Sequence, residues 1–247
     1  MPLPLKRTRP YLFLDAGGTL DYPNLALIGA VAGELGFSLT EDELLGAFQR
    51  TIFRMDEALR DHRPVPWAGR LVETVVEEAG VDAESASRIV NEARLRSGSK
   101  SLWTYTRPWV SRALHKLREA GYRISVISNA DGTVQQQMTD LGFLPTYLDR
   151  VFDSALIGYE KPDPRLFQFA LNELGLDAGS ALYVGDLVMV DVLGANRAGL
   201  GAVHLDGAGL YAGWPGLHFS NLETVAEALL AGQIQLDDPR LFPFSAP

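Results

Sequence analysis

The chain has 247 residues, 47% of them hydrophobic, which is enough for one large globular core or two smaller ones. Its formal net charge of -9 at pH 7 argues against nucleic acid or an anionic membrane as a partner. The absence of cysteine excludes disulfides and cysteine-based metal sites. The apolar run after the basic residues 1–10 is too short for a secretion signal, and no run is long enough to span a bilayer. We therefore expect a cytoplasmic protein.

The first predicted element is a buried parallel strand at the apolar residues 12–14. It ends at Asp15, and Gly17 and Gly18 let the backbone turn sharply after it. A carboxylate at such a strand end lies where open α/β sheets bind their ligands.

Residues 24–99 have apolar side chains at helical spacing and predict four helices joined by short connections. The second of these helices begins with Thr40 and Glu43, which have the spacing of a capping box. Pro64 interrupts the pattern before the two remaining helices. Four helices with short connections predict a small bundle.

After Pro108, predicted strands and helices alternate along the chain. The predicted strands are residues 123–129, 181–184 and 201–205. The predicted helices are residues 108–121, about 134–141, about 162–175, a segment that ends near residue 199, and one capped by Asn221. This alternation predicts an α/β fold with a parallel, doubly wound sheet and a helical bundle inserted after the first strand. The proline-rich residues 233–247 are expected either to pack on the surface or to be disordered.

The predicted strands are followed by groups that can act on a phosphate. Asp15 is the candidate nucleophile, because a carboxylate can attack phosphorus and form an aspartyl phosphate. Lys161 can hold Asp15 in place and neutralise phosphate charge. Asp186 and Asp191 follow the strand at residues 181–184 and can hold Mg²⁺, which would screen an anionic nucleophile from an anionic substrate.

A second group of candidates can bind the phosphoryl oxygens of the substrate. The turn after the first strand exposes the backbone amides of Ala16 and Gly17 and carries the hydroxyl of Thr19. Ser128 and Asn129 end another predicted strand, where they can bind phosphate and also cap the next helix. Because the carboxyl ends of parallel strands meet at one edge of the sheet, we expect all these groups to converge.

Taken in order, these segments resemble the four motifs of the haloacid dehalogenase (HAD) superfamily of hydrolases. The counterparts are residues 15–20 for the first motif, residues 127–129 for the second, Lys161 for the third, and Gly185 and Asp186 with Asp191 for the fourth. The resemblance extends over residues 12–229. It implies a Rossmann-like core, residues 1–22 and 104–247, and a helical cap, residues 23–103, inserted between the first two motifs.

The resemblance implies a Mg²⁺-dependent phosphatase that hydrolyses a small phosphorylated metabolite through an aspartyl phosphate on Asp15. In that family a backbone carbonyl two residues after the nucleophile also binds the metal, so the implied metal ligands are Asp15, Gly17, Asp186 and Asp191. The family's cap closes over the site, excludes water and selects the substrate. We expect a monomer or a homodimer.

One position departs from the family's pattern. Phosphatases of the family carry a second aspartate two residues after the nucleophile, where it protonates the leaving group and then activates water, but this chain has Gly17 there. General acid–base catalysis contributes about 10²–10⁴-fold. We therefore expect weak activity on alkyl phosphates and better activity on acyl and aryl phosphates. Asp21, Asp131 and His62 are candidates for a replacement acid.

Gly17 leaves other functions open. A catalytically impaired relative could use the same groups to bind a phosphate or a metabolite, or serve as an interaction module. A 2-haloacid dehalogenase fits less well, because those relatives carry an aromatic residue at the Gly17 position and lack the full acidic fourth motif. Phosphonate cleavage fits poorly, because it uses a cap lysine and the insert has no lysine before Lys100. Asp186 and Asp191 favour the metal-dependent branch.

Overall fold

The computed structural model describes residues 9–65, 69–98 and 101–244. The strands in these residues are β1 (Tyr11–Leu14), β2 (Tyr22–Pro23), β3 (Trp103–Tyr105), β4 (Ile124–Ser128), β5 (Arg150–Asp153), β6 (Ala181–Gly185), β7 (Gly201–Leu205) and β8 (His218–Phe219). Six strands form one sheet in the order β5-β4-β1-β6-β7-β8, in which every neighbouring pair is parallel. β2 and β3 form a separate antiparallel ribbon where the helical insert begins and ends.

The helices of the described residues are α1 (Leu25–Glu34), α2 (Glu41–Arg60), α3 (Leu71–Glu78), α4 (Ala83–Ser97), α5 (Pro108–Glu119), α6 (Val134–Asp140), α7 (Ser154–Ile157), α8 (Pro164–Leu174), α9 (Leu193–Arg197) and α10 (Leu222–Leu230). The prediction of a parallel, doubly wound α/β sheet with an inserted helical bundle is confirmed. The domain boundaries after residues 22 and 103 stay predictions. Among the described helices, none combines the length and the apolar character needed to cross a membrane.

The central strand β1 is buried along its whole length between β4 and β6. Because side chains alternate along a strand, Leu12 and Leu14 pack with α5 and α10 on one face of the sheet. Tyr11 and Phe13 pack with α8 on the other face. Burial on both faces explains why β1 is an unbroken apolar run in the sequence. Each large side chain buried in this way stabilises the fold by about 1.5–3 kcal/mol.

The four helices of the insert pack around a hydrophobic cluster of their own. This cluster includes Ile28, Leu44 and Ile89 from three different helices. The predicted capping box at the start of α2 is confirmed: Glu43 N donates to Thr40 Oγ1 (3.2 Å), and Thr40 N donates to Glu43 Oε2 (2.8 Å). The insert is therefore a small bundle with its own core.

The proline-rich tail packs on the core as far as the structure describes it. Leu241 lies in a short 3-10 turn, Pro239–Leu241, and is completely buried. Asn196 Nδ2 donates a hydrogen bond to the carbonyl oxygen of Leu241 (2.8 Å). Of the two outcomes expected for this segment, packing is the one found up to residue 244.

Candidate active site

The predicted site residues lie at the carboxyl end of the sheet, where three neighbouring strands end. Asp15 directly follows β1, Ser128 is the last residue of β4, and Asp186 directly follows β6. A cavity of about 680 Å³ opens at this edge. The predicted residues that line it are Asp15, Ala16, Gly17, Ser128, Asn129, Lys161, Asp186 and Asp191.

Thr19 is the predicted phosphate-binding residue that lies outside the cavity lining. It is completely buried, and its hydroxyl oxygen has no hydrogen-bond partner among the described residues. The turn folds back at this point, because Thr19 N and Leu20 N both donate to the carbonyl oxygen of Ala16 (3.2 and 2.7 Å). A contact between Thr19 and phosphate stays a prediction.

Two glycines of the motifs allow carboxylates to approach the backbone closely. Gly18 has a φ of +72°, in the region that favours glycine, and a Cβ at this position would overlap the Asp186 carboxylate. A Cβ on Gly185 would overlap the Asp191 carboxylate in the same way. These glycines therefore allow Asp186 and Asp191 to lie close to Asp15, the candidate nucleophile.

Lys161 holds two of the carboxylates together. Its Nζ donates hydrogen bonds to Asp15 Oδ1 (2.6 Å) and Asp191 Oδ1 (2.7 Å), and all three side chains are buried. Burial by itself lowers the pKa of Lys161, but the charges of Asp15 and Asp191 outweigh burial and raise it. The ammonium therefore stays charged at neutral pH and fixes the orientation of Asp15.

Tyr183 supports Lys161 from within the sheet, a role that the sequence did not predict. It lies on β6, is completely buried, and accepts a hydrogen bond from Lys161 Nζ (2.9 Å). Its hydroxyl lies 2.9 Å from the carbonyl oxygen of Ile127 and 3.0 Å from Asp191 Oδ1, and it donates to one of them. Tyr183 thus ties Lys161 and Asp191 to the backbone of β4.

Asn129 positions the backbone of Lys161. Its Oδ1 accepts a hydrogen bond from Lys161 N (2.7 Å), and its Nδ2 donates to the carbonyl oxygen of Lys161 (3.0 Å). The side-chain amide of Asn129 is therefore engaged by the loop that carries the lysine. This geometry places Asn129 to orient the loop that carries Lys161, while phosphate binding by Ser128 and Asn129 stays a prediction.

The three carboxylates of the site form a cluster whose chemistry fits a hard divalent cation. One oxygen from each of Asp15, Asp186 and Asp191 lies within 4.8 Å of the others. Burial raises the pKa of Asp15 to about 6, and burial followed by the charges of Asp15 and Asp191 raises the pKa of Asp186 well above its usual value. Since three carboxylates here face one ammonium, a bound Mg²⁺ would balance the charge and lower these pKa values.

Asp186 and Asp191 differ in how their oxygens are engaged. Asp191 Oδ1 accepts from Lys161, and Asp191 Oδ2 accepts from Leu187 N (3.0 Å). The Asp186 carboxylate accepts no hydrogen bond from any residue in the described part of the chain, while its backbone oxygen accepts one from His204 Nε2 (3.0 Å). Asp186 is therefore better placed for direct metal contact, and Asp191 for orienting Lys161.

A buried aspartate of the insert, Asp56, contacts the segment that carries the fourth motif. Its Oδ2 accepts hydrogen bonds from Val188 N (2.6 Å) and Tyr211 Oη (2.8 Å), and its Oδ1 accepts one from Met189 N (2.8 Å). The side chain is completely buried, and burial raises the pKa of Asp56 to about 7. Asp56 therefore joins α2 of the insert to the loop behind the candidate metal site.

Replacement of this aspartate, Asp56→Ala, is expected to lower the free energy of unfolding by about 3 kcal/mol, because the buried Val188 amide, the part-buried Met189 amide and the buried Tyr211 hydroxyl lose their acceptor. Urea denaturation measures the change. Asp61→Ala, at the exposed end of the same helix, is the matched control and should cost less than about 1 kcal/mol, because its pairs with Arg60 and Arg63 are exposed. Equal losses in the two variants would contradict the buried contact.

An aromatic ring lies against Gly17, the position at which phosphatases of the family carry their second aspartate. A Cβ on Gly17 would lie 3.0 Å from Cζ3 and 3.2 Å from Cη2 of Trp103, which belongs to β3. Trp103 also lines the cavity. Because Gly17 has no side chain, the Trp103 ring can pack against the backbone at this position.

Two of the three candidates for a replacement acid, Asp21 and Asp131, line the cavity, whereas His62 is not among its lining residues. Asp131 is exposed and accepts hydrogen bonds from the backbone and hydroxyl of Thr133. Asp21 is buried, and neither carboxylate oxygen has a hydrogen-bond partner among the described residues. Burial, followed by the charge of Asp15, raises the pKa of Asp21 to about 8. Asp21 is therefore protonated at neutral pH.

Asp21 should make the free energy of unfolding depend on pH. The folded protein holds a proton on Asp21 up to a pKa of about 8, whereas the usual pKa of a free aspartate side chain is 3.8. The stability from this proton is complete below the lower value and is lost as pH rises towards the higher one, by up to ~1.4 kcal/mol per pH unit. We expect Asp21→Asn to flatten the fall in unfolding free energy between about pH 5 and about pH 7, measured by urea denaturation with a chelator present. A slope equal to that of the wild type would refute this role.

Comparisons with known proteins agree with this geometry. The model of the haloacid dehalogenase-like hydrolase family matches residues 13–199. The (S)-2-haloacid dehalogenase 4A of Burkholderia cepacia is 33% identical over 120 residues, 47% of this chain and 49% of that protein. The phosphoserine phosphatase of Thermus thermophilus is 32% identical over 145 residues, 57% of this chain and 56% of that protein. The chain thus spans about half the length of the curated relatives it matches.

A solved structure agrees at the level of the fold. The crystal structure of a HAD phosphatase from Thermococcus onnurineus matches with a TM-score of 0.55 and 21% identity, covering 89% of this chain and 97% of that one. The family match extends over most of the chain and includes all four strand-end motifs around the cavity. The chain therefore belongs to the haloacid dehalogenase-like hydrolases.

Proposed function

We propose that this protein is a Mg²⁺-dependent phosphatase that hydrolyses a small phosphate monoester through an aspartyl phosphate on Asp15. The observation that carries the proposal is the contact of Lys161 with both Asp15 and Asp191, beside Asp186. This arrangement combines an oriented carboxylate nucleophile, a cation for the phosphate and a carboxylate set for a metal. The similarity to a phosphoserine phosphatase supports a small phosphorylated substrate.

In the first step, Asp15 Oδ2 forms a bond to phosphorus while the bond from phosphorus to the ester oxygen breaks, and that oxygen leaves with the bonding electrons. Lys161 holds the attacking carboxylate through Oδ1 and adds positive charge beside the phosphoryl group. The amides of Ala16 and Gly17 and the hydroxyl of Ser128 donate hydrogen bonds to the phosphoryl oxygens. When bound, Mg²⁺ supplies positive charge that offsets the repulsion between carboxylate and phosphate.

In the second step, water attacks the phosphorus of the aspartyl phosphate, the acyl phosphate bond breaks, and Asp15 regains its carboxylate as phosphate leaves. The proton of that water goes to the departed oxide or to the phosphate product. Gly17 has no side chain to carry protons in either step. An aryl oxide leaves without being protonated, whereas an alkoxide is a strong base, so the site favours aryl and acyl phosphates.

Restoring an acid at residue 17 requires space for the new side chain beside Trp103 as well as the substitution itself. We expect Gly17→Asp combined with Trp103→Phe to raise kcat/KM for n-propyl phosphate at least about tenfold over Trp103→Phe alone, because the carboxyl group can protonate the alkoxide. Gly17→Asp alone should gain less, because Trp103 is in contact with the position of the new side chain. Steady-state phosphate release measures both. The absence of any gain in the double variant would indicate that the acid comes from elsewhere or that the chain only binds its ligand.

The proposal is tested by measuring phosphate release from p-nitrophenyl, acetyl and n-propyl phosphate, each with Mg²⁺ and with a chelator. The expected result is metal-dependent turnover that is fastest for the aryl and acyl compounds. A lack of turnover on all three would overturn the proposal in favour of a binding protein. Metal-independent halide release from a 2-haloacid would instead favour a dehalogenase, the function in the name of one relative.

A further inference from the structure

We infer that the cavity accepts phosphate monoesters whose leaving group is an uncharged aromatic ring, bound against Trp103 on the apolar wall of the cavity. This inference rests on the proposed phosphatase function and names its substrate class.

The wall of the cavity that the insert contributes is apolar and aromatic. Its described residues are Phe48, Ile52, Met55, Gly69, Leu71, Ser101 and Trp103, of which Ser101 alone is polar. Phe48 and Trp103 meet edge to face, with ring centroids 6.0 Å apart and an interplanar angle of 74°. Phe48 is buried, whereas Trp103 keeps part of its surface exposed and can contact a further ring by stacking or by an edge contact.

The position of Trp103 links this wall to the chemistry. Its ring lies against Gly17, two residues from the nucleophile Asp15. A leaving group that extends from the phosphate towards the insert would therefore contact the indole ring. The contact occurs where related phosphatases would place their acid, so an apolar surface here replaces a proton donor.

The described part of the cavity offers no cation to a charged leaving group. Lys161 is the one basic side chain among the described lining residues, and Asp15 and Asp191 already engage it. At the rim, Asp131 and Glu160 are exposed carboxylates. The carboxylates at the rim would repel an anionic leaving group. Inside the cavity its negative charge would have no cation to pair with, which is also unfavourable.

The arginines of α2 do not supply a cation to the cavity. Arg50 and Arg54 both pair with Glu78 on α3, Arg60 pairs with Asp61, and none of the three is a lining residue. Lys100 precedes the lining residue Ser101 in sequence and lies outside the described residues. The variant Lys100→Gln therefore tests whether this lysine supplies a cation to the cavity.

The cavity volume also suits an aromatic leaving group. About 680 Å³ lies within the range of pockets that bind drug-sized ligands. A leaving group of two fused rings fits such a space together with the phosphate. Because the site also lacks an acid at Gly17, both binding and chemistry favour an aryl oxide over an alkoxide.

Three aryl phosphates test the inference on the full chain with Mg²⁺: phenyl, 1-naphthyl and 4-carboxyphenyl phosphate. The second ring of the naphthyl compound adds apolar area, so we expect its kcat/KM to be about tenfold that of phenyl phosphate. The carboxylate of the third compound makes the oxide a better leaving group, so chemistry alone favours it. We nevertheless expect its kcat/KM to be at least about tenfold below that of phenyl phosphate, because its charge is unpaired in the cavity.

A matched pair of variants tests the wall itself. Met55→Arg adds a cation at a half-buried lining position, and Met55→Leu keeps the wall apolar. We expect Met55→Arg to raise the ratio of kcat/KM for 4-carboxyphenyl over phenyl phosphate by about fivefold or more, and Met55→Leu to leave this ratio unchanged. Because both substrates are measured on the same protein, the ratio does not depend on how much of it is folded.

The outcomes separate this inference from the proposed function. Metal-dependent turnover with equal kcat/KM for the neutral and the carboxylated ring would overturn the inference and leave the phosphatase proposal standing. A preference for the carboxylated ring that disappears in Lys100→Gln would also overturn it, by assigning a cation to residue 100. A lack of turnover on all three compounds would overturn both.

Discussion

Asp15→Asn is expected to lower kcat for p-nitrophenyl phosphate by at least about 10³-fold, a loss of about 4 kcal/mol in transition-state stabilisation. The amide is a poor nucleophile and cannot form the aspartyl phosphate. It can still accept the hydrogen bond from Lys161, so the site should keep its shape. The loss should therefore lie in kcat, with the fold retained.

The control for this variant is Asp140→Asn on the exposed surface of α6, where the side chain accepts a hydrogen bond from Gln136. We expect it to keep the turnover of the wild type. Unfolding curves of both variants check that the fold is intact. Turnover by folded Asp15→Asn within about tenfold of the wild type would mean that another group attacks phosphorus.

Lys161→Met is expected to lower the free energy of unfolding by about 3–5 kcal/mol, because it leaves the buried carboxylates of Asp15 and Asp191 without their cation. Turnover should also fall, by about 10²-fold or more, since the phosphoryl group loses a positive charge beside it. The loss of stability should shrink at acidic pH, where a carboxyl can take up a proton instead. Urea denaturation at two pH values measures this.

The matched control is Lys116→Met, which removes a lysine that also contacts two carboxylates, Glu223 and Glu227. These contacts are on the surface, and Lys116 is 37% exposed. Pairs of this kind contribute about 0–1 kcal/mol. Equal destabilisation of the two variants would contradict the claim that burial makes the ion pairs of Lys161 contribute more to stability than the exposed pairs of Lys116.

The elements with a strong periodic signal could be predicted from the sequence, and short or edge elements could not. β1 is buried on both faces and α2 begins with a capping box, so both have clear patterns. β2 and β8 have two residues each, too few to show alternation. β5 pairs only with β4 and has an exposed Arg150, so its sequence lacks the apolar run of a central strand.

The strand-end residues of the site could be predicted because parallel topology alone brings them to one edge. The residues that support them depend on contacts across the fold. Tyr183 lies within an apolar strand, where its hydroxyl gives no periodic signal, and Trp103 meets Gly17 only because the ribbon closes the insert. Asp56 did have a signal: it follows Phe48 and Ile52 at four-residue spacing on the buried stripe of α2.

The π-helical turn at Val188–Val192 also could not be derived from the sequence pattern. The sequence predicts a helix that ends near residue 199, and nothing in its pattern marks a wider turn at Asp191. In the structure this turn is wider, and Asp191 accepts a hydrogen bond from Leu187 N while it reaches Lys161. Its position depends on the tertiary contacts of the buried lysine.

The most direct test of the central claim is to look for the phosphoryl group on Asp15. The protein is mixed with p-nitrophenyl phosphate and Mg²⁺, quenched in acid, and measured by intact and peptide mass spectrometry. Because Gly17 provides no base for the second step, the aspartyl phosphate should accumulate, and we predict one added phosphoryl group on the peptide that contains Asp15. It should be absent from Asp15→Asn. Metal-dependent hydrolysis at the same rate in both proteins, with no adduct in either, would contradict the account.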